Sequence, residues 1–260
     1  AGVDPAAPAV PALDAGREED VLADIRHGRG NRFLPGVAIP KELQVTGDLA
    51  EACQAQALLL AVPAQLLHIF ADGLKSYLKP DQPVVICAKG IEQASGKLMG
   101  EVAGEVLPQA LLAVLSGPSF AADVVRGHPA ALTLACRSET AGKAMAAGLS
   151  SRQMRLYWSS DVVGAELGGA VKNVLAIAAG VVAGRELGAS AHAALVTRGF
   201  AELRRFAEAY GARPETLMGL SGLGDLILTC GSPQSRNMSL GRALAEGQSL
   251  SDILGSRSAV

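Results

Sequence analysis

The chain has 260 residues, 49% apolar and 18% charged, which is enough to bury a core and too apolar for a disordered chain. A formal net charge of -2 gives no general pull toward nucleic acid or an anionic membrane, so any basic site must be local. Cys53, Cys87, Cys136 and Cys230 lie far apart without a C-x-x-C pair, the histidines are scattered, and H-E-x-x-H is absent; this argues against a metal site or disulfide framework and for a reducing cytoplasm.

Residues 1–16, AGVDPAAPAVPALDAG, are rich in Ala and Pro and have neither a basic n-region nor a continuous apolar h-region. They are expected to be disordered, or an artefact of where the chain begins, since no initiator methionine is present. From residue 18 to 160 the pattern alternates. Apolar runs at 57–62, 84–88, 111–115 and 130–135 read as strands, and 153–159 alternates Met154, Leu156 and Trp158 like a half-buried strand. Helices are expected near 18–28, 64–77, 97–106, 119–126 and 139–149. Such alternation predicts an α/β layer architecture around a mostly parallel sheet. Beyond about residue 160 only helices are predicted. A long one covers Asp161–Leu187, with Ala and Gly letting neighbours approach closely. The segment 192–210 carries Leu195, Val196, Phe200, Leu203, Phe206 and Tyr210 at helical spacing, and shorter helices fall near 214–219, 223–230, 238–247 and 249–254. Two domains are therefore expected, 1–160 and 161–260. The longest apolar run, Asn173–Gly184, is too short to span a bilayer and follows directly on Lys172, so stable membrane insertion is not expected.

Several positions carry chemistry, each with a plainer alternative. Lys89 follows the run VVICA, just past a strand's C-terminal end, where open α/β sheets bind ligands; it could equally be a solvated loop lysine. In SGPSFA, 116–121, Gly117 and Pro118 predict a tight turn and Ser119 an N-cap for the next helix, at the same ligand edge or as an ordinary turn. Lys172 lies in a helix apolar nearly all round. A buried lysine is costly unless paired or functional, and desolvation beside another cation would fit it as a general base; the alternative is a lysine snorkelling to the surface. Asp225 stands between Gly224 and LIL and is either a site carboxylate or a helix N-cap. Ser235, Arg236 and Asn237 are adjacent donors suited to gripping a phosphate, or else a solvated turn. Pooled, they describe a site for a small anion bearing a hydroxyl or carbonyl.

NRFLPG (31–36), AVP (61–63), AKGIE (88–92), SGPSFA (116–121), ELGGAVKNV (166–174), TRG (197–199), GLSGLGDLILTC (219–230) and QSRN (234–237) occur in the order of one family. From about Arg17 to Val260 the chain resembles bacterial NAD(P)-dependent glycerol-3-phosphate dehydrogenase. The resemblance implies a Rossmann-type sheet domain followed by an all-helical substrate domain. It also implies reversible hydride transfer between NAD(P)H and dihydroxyacetone phosphate, giving sn-glycerol 3-phosphate for glycerophospholipid synthesis. Residue by residue, Lys172 matches the catalytic proton acceptor. Lys89, Gly117, Ser119, Lys172, Asp225, Ser235, Arg236 and Asn237 match substrate-binding positions, and Lys89, Ala121, Arg236 and Val260 match cofactor contacts. No metal is implied. NAD and NADP stay as alternatives, and the assembly is open, a homodimer included.

The family's pattern is not complete here. No G-x-G-x-x-G turn occurs near the start, so the first strand, its glycine loop, the next helix and the second strand are expected to be missing, as are the last helices and an acidic cofactor contact beyond Val260. These residues alone are accordingly expected to bind NAD(P)H poorly and turn over little, as a partial sequence of an active parent enzyme. The rival readings are a non-catalytic phospho-ligand-binding remnant, or a related NAD(P)-dependent hydroxy-acid dehydrogenase.

Overall fold

The computed structural model describes residues 19–31, 36–40 and 42–255, together with the backbone of Ala12–Leu13. In chain order the first half runs β1 (Ala12–Leu13), α1 (Glu19–Arg26), β2 (Val45–Thr46), α2 (Leu49–Ala52), β3 (Leu58–Leu60), α3 (Leu67–Leu74), β4 (Pro83–Ile86), α4 (Met99–Val106), β5 (Leu111–Ser116), α5 (Ala121–Val125), β6 (Ala130–Ala135), α6 (Glu139–Leu149) and β7 (Met154–Ser159). A short 3-10 turn, Ala64–Leu66, leads into α3.

β3 to β7 form one five-stranded sheet in sequence order. The pairings β3–β4, β4–β5 and β6–β7 are parallel, whereas β5–β6 is antiparallel, with Ser116 opposite Thr133. The mostly parallel sheet predicted from the alternation is thus present with one reversed neighbour, a direction that strand periodicity does not encode. Val84, Val85 and Ile86 in β4 are completely buried. A continuous apolar run is what a parallel strand covered on both faces requires. One face carries Leu67, Ala71, Met99 and Val102 from α3 and α4; the other carries Met145 and Ala146 from α6. Ala12–Leu13 pairs in parallel with Val45–Thr46 as a separate two-stranded sheet, which corrects the expectation that residues 1–16 hold no structure and that no strand precedes α1. Backbone pairing decides this, and Ala/Pro composition hides it.

The second half is helical: α7 (Val162–Gly184), α8 (Gly188–Ala209), α9 (Pro214–Met218), α10 (Asp225–Gly231), α11 (Arg236–Ala245) and α12 (Leu250–Gly255). Asp161 starts α7. Its carboxylate accepts from the Gly164 N–H at 2.9 Å, supplying one of the donors a helix start leaves unpaired, and from the Arg213 N–H at 2.8 Å ahead of α9. By length and composition α7 could cross a membrane. In the fold it is a core helix: Ala165, Leu167, Ala176 and Ala179 are fully buried, and α8, α10 and α11 pack along it. Glu166 on α7 is buried too, and its carboxylate accepts the Gly100 N–H at 2.6 Å, joining α7 to the start of α4.

Candidate active site

The parallel strands β3, β4 and β5 end at one edge of the sheet, the edge where open α/β sheets hold ligands. Lys89 leaves β4 there, and Gly117 and Ser119 follow β5. α7 runs beneath this edge and carries Lys172. The third component arrives through a π-helical turn, Leu220–Gly224, that leads directly into α10. Such turns recur at functional sites. This one lies against α7 at Gly168, where a Cβ would stand 2.5 Å from the Ser221 carbonyl oxygen. A side chain at Gly168 would push the turn away, and with it Asp225, the first residue of α10.

Asp225 holds the site together. One carboxylate oxygen accepts from the Lys172 ammonium at 2.5 Å and the other from the Lys89 ammonium at 2.8 Å. The Lys89 ammonium also donates to the Gly117 carbonyl at 2.9 Å, and Lys172 to the Thr229 hydroxyl oxygen at 3.2 Å. Thr229 spends its own proton on the Asp225 backbone carbonyl, 2.6 Å away, which leaves a lone pair facing the lysine. The side chains of Asp225 and Lys172 are 2% and 10% exposed, so the cluster is largely desolvated. Two ammonium groups on one carboxylate leave a net positive charge. That excess favours an anionic ligand, and it favours proton loss from the more buried lysine. Lys172 is lowered to about 8, first by burial and then by the Lys89 charge, with Asp225 opposing both.

The substrate-side positions are spread around this centre. Ser119 is half-buried, and its hydroxyl turns back toward the Gly117 carbonyl at 3.4 Å. It is not the expected N-cap: Phe120 occupies that position without a side-chain hydrogen bond, because the turn runs one residue longer before α5 begins. Ser235 is buried and caps α11 through the Met238 N–H at 3.2 Å, so the QSRN segment opens a helix rather than forming a solvated turn. Arg236, exposed, is the first residue of that helix. Asn237 donates to the Asn173 side-chain oxygen at 2.8 Å, which ties the start of α11 to the residue after Lys172. Ala121, exposed, opens α5. Val260 lies outside the described residues, as do residues 32–35 of the NRFLPG motif. Direct contact therefore unites Lys89, Gly117, Lys172 and Asp225, whereas Ser119, Ser235, Arg236 and Asn237 sit on the two flanking segments.

Thr229 and Asn173 went unremarked in the sequence. A signal for Thr229 was available: it is four residues past Asp225 in a helical stretch, and that spacing stacks two side chains on one face. Asn173 simply follows Lys172, and only the packing of α11 on α7 gives it a partner.

Comparison with known proteins identifies the family. The family model for the N-terminus of NAD-dependent glycerol-3-phosphate dehydrogenase matches residues 13–142, and the model for its C-terminus matches 161–260. Glycerol-3-phosphate dehydrogenase [NAD(P)+] of Parvibaculum lavamentivorans is 56% identical over 245 residues, covering 94% of this chain and 74% of the relative. The enzyme of the same name from Caulobacter vibrioides is 51% identical over 245 residues, with the same coverage of both chains. A crystal structure of glycerol-3-phosphate dehydrogenase from Coxiella burnetii superposes with a TM-score of 0.88 at 35% identity, covering 94% of this chain and 76% of that one. A sheet edge and a helix that bring two lysines to one buried carboxylate are thus found in a chain that belongs to the bacterial NAD(P)-dependent glycerol-3-phosphate dehydrogenase family.

Proposed function

We propose that Lys172 is the proton-transferring residue of this oxidoreductase and that Asp225 and Lys89 set its protonation and position. The observation that carries the reading is the shared carboxylate, with Lys172 and Lys89 on opposite oxygens of Asp225. The substrate is a small phosphorylated molecule, and the reaction interconverts glycerol 3-phosphate and dihydroxyacetone phosphate. Oxidation takes the proton of the C2 hydroxyl onto a neutral Lys172 amine; reduction returns it from the ammonium to the C2 oxygen. Asp225, acceptor-only when ionised, orients the amine. Lys89 adds charge that stabilises a developing alkoxide. Arg236, with Ser235 and Asn237 beside it, would hold the phosphate, and Gly117 and Ser119 would line the substrate from the sheet edge.

NAD or NADP supplies the hydride acceptor or donor when bound. The residues present supply the C-terminal ends of parallel strands, where open α/β sheets hold such a ligand, and Gly117 there has φ +140°, a conformation that favours glycine. Lys89, Ala121 and Arg236 would be the holding residues. The division at about residue 160 into a dinucleotide-binding part and a helical substrate part belongs to the same reading. So do a cytoplasmic location without membrane insertion, supported by the burial of α7, and a homodimeric assembly without nucleic acid.

Lys172→Met tests the assignment. It should lower kcat by about 100-fold or more, the scale of a lost general acid–base, with little change in KM for glycerol 3-phosphate. Turnover equal to that of the unsubstituted enzyme would remove Lys172 from the chemistry.

A further inference from the structure

Ser116 ends β5 with its hydroxyl fully enclosed and without a hydrogen-bond partner among the described residues. A buried hydroxyl left unpaired is uncommon and asks for a reason. Its neighbour across the interface is Gly169 of α7. A Cβ built on Gly169 would lie 2.8 Å from the Ser116 hydroxyl oxygen and 3.3 Å from both Cγ and Cδ of Lys89. The stem of Lys89 therefore passes between the end of β5 and α7 in a space that exists because residue 169 has no side chain. Beyond that passage the ammonium is pinned at both ends of its reach, on the Gly117 carbonyl and on Asp225.

We infer that Gly169 is a positioning residue for the reaction: its bare backbone, facing Ser116, forms the channel that delivers the Lys89 ammonium to Asp225. The inference rests on the role given to the Lys89–Asp225–Lys172 cluster and adds how one arm of it is aimed. A methyl group at 169 can be accommodated in two ways. The Ser116 hydroxyl can rotate, since it gives up no hydrogen bond. The Lys89 methylenes must give by a few tenths of an ångström, and with the ammonium held by two acceptors ahead that shift is carried into its contact with Asp225. The consequence appears at Lys172. The Lys89 charge is one of the causes that hold Lys172 down, and Asp225 pulls it up. Retreat of Lys89 weakens the first and frees the carboxylate for the second, so both changes act upward. Moving a like charge from about 4 to about 4.4 Å, at an effective dielectric constant of about 20, is worth about 0.3 pH unit.

The test is a 13C titration of the Lys172 side chain in lysine-labelled protein, assigned by its loss in Lys172→Met and read without substrate or turnover. Gly169→Ala should raise the midpoint by about 0.3 unit, in the direction of the larger rise expected for Lys89→Met. In the active enzyme kcat/KM should fall by roughly 3- to 10-fold, less than misplacement by a full ångström costs. Gly169→Ala/Ser116→Ala removes the oxygen contact and leaves the Lys89 contact. It should fold at least as well as the single variant and keep the raised midpoint, which covers the case in which Gly169→Ala alone is unstable. A midpoint unmoved in Gly169→Ala, or in the double variant if the single one does not fold, overturns the inference while leaving the catalytic reading intact. A midpoint raised alongside unchanged turnover would confirm the aiming of Lys89 and count against the catalytic reading instead.

Discussion

Lys172 and Asp225 are 53 residues apart in the chain, yet the ammonium and carboxylate meet at 2.5 Å in a largely dry interior. Neither group would be stable there alone. Desolvation of one ion costs several kcal/mol, and only the partner offsets it. The arrangement is lopsided, because a second ammonium shares the same carboxylate. The proposed release of a proton and acceptance of an anion rest on that charge excess.

Asp225→Asn should be the most damaging isosteric change in the chain. It leaves the buried Lys172 ammonium and the half-buried Lys89 ammonium facing a neutral amide, so the folded state should lose about 3–5 kcal/mol. Urea denaturation at neutral pH measures the loss. A decrease below about 1 kcal/mol would show that solvent reaches the cluster and that the carboxylate is not what holds it.

The pH dependence has a definite sign. Lys172 is lowered from 10.5 to about 8, so the folded state releases the proton before the unfolded chain does. Below about 8 both states carry it and the penalty of the buried charge is fully present. Between about 8 and 10.5 the unfolded chain holds the extra proton, and stability from this group rises with pH, by roughly 3 kcal/mol in all. The difference in denaturation free energy between the unsubstituted protein and Lys172→Met, followed from pH 7 to 10.5, should therefore change in favour of the unsubstituted protein. The rate of glycerol 3-phosphate oxidation should climb with pH to a plateau above about 8, because the neutral amine is the proposed base. A flat profile across that range would contradict the assignment.

Glu166 should titrate with the opposite effect. Burial raises it from 4.5 to about 7, the Gly100 N–H opposes this, Glu101 adds to the rise and Arg137 counters it. Below 4.5 both states hold the proton; between 4.5 and about 7 only the folded state does, so stability from this group declines as pH rises. Glu166→Gln keeps an oxygen for the Gly100 N–H and removes the charge. It should erase that decline and stabilise the protein at pH 8 by roughly 2–3 kcal/mol. Paired urea curves at pH 5 and pH 8 decide it, and a variant less stable at pH 8 would show that the ionised carboxylate is needed.

Arg236 should act on binding of the phosphate rather than on proton transfer. Arg236→Ala is expected to raise KM for glycerol 3-phosphate by about 10- to 100-fold. Arg236→Lys should restore only part of the loss, because an ammonium cannot make the forked pair of hydrogen bonds. Since Arg236 is exposed at the start of α11, the melting temperature should barely move. A KM unchanged in Arg236→Ala would relocate the phosphate site.

Much of the scaffold was legible one segment at a time. The apolar run before Lys89 became β4, the alternation of Met154, Leu156 and Trp158 became β7, and the Ala- and Gly-rich stretch after Asp161 became a 23-residue helix. The run at 57–62 became β3 over three residues only, Leu58–Leu60, because a short apolar stretch does not mark where pairing stops. The ordered motifs also identified the family without any spatial information.

What the amino-acid order determined by itself was the strands and longer helices from β3 onward and which side chains can exchange a proton or hold an anion, since periodicity and residue type are local properties. Tertiary structure alone decided that β6 runs against β5, that a π-helical turn lodges against Gly168, and that two lysines converge on one carboxylate from 53 and 136 residues away. Direction, close approach and burial arise only when distant segments exclude water together, and so do the lowered basicity of Lys172 and the raised pKa of Glu166.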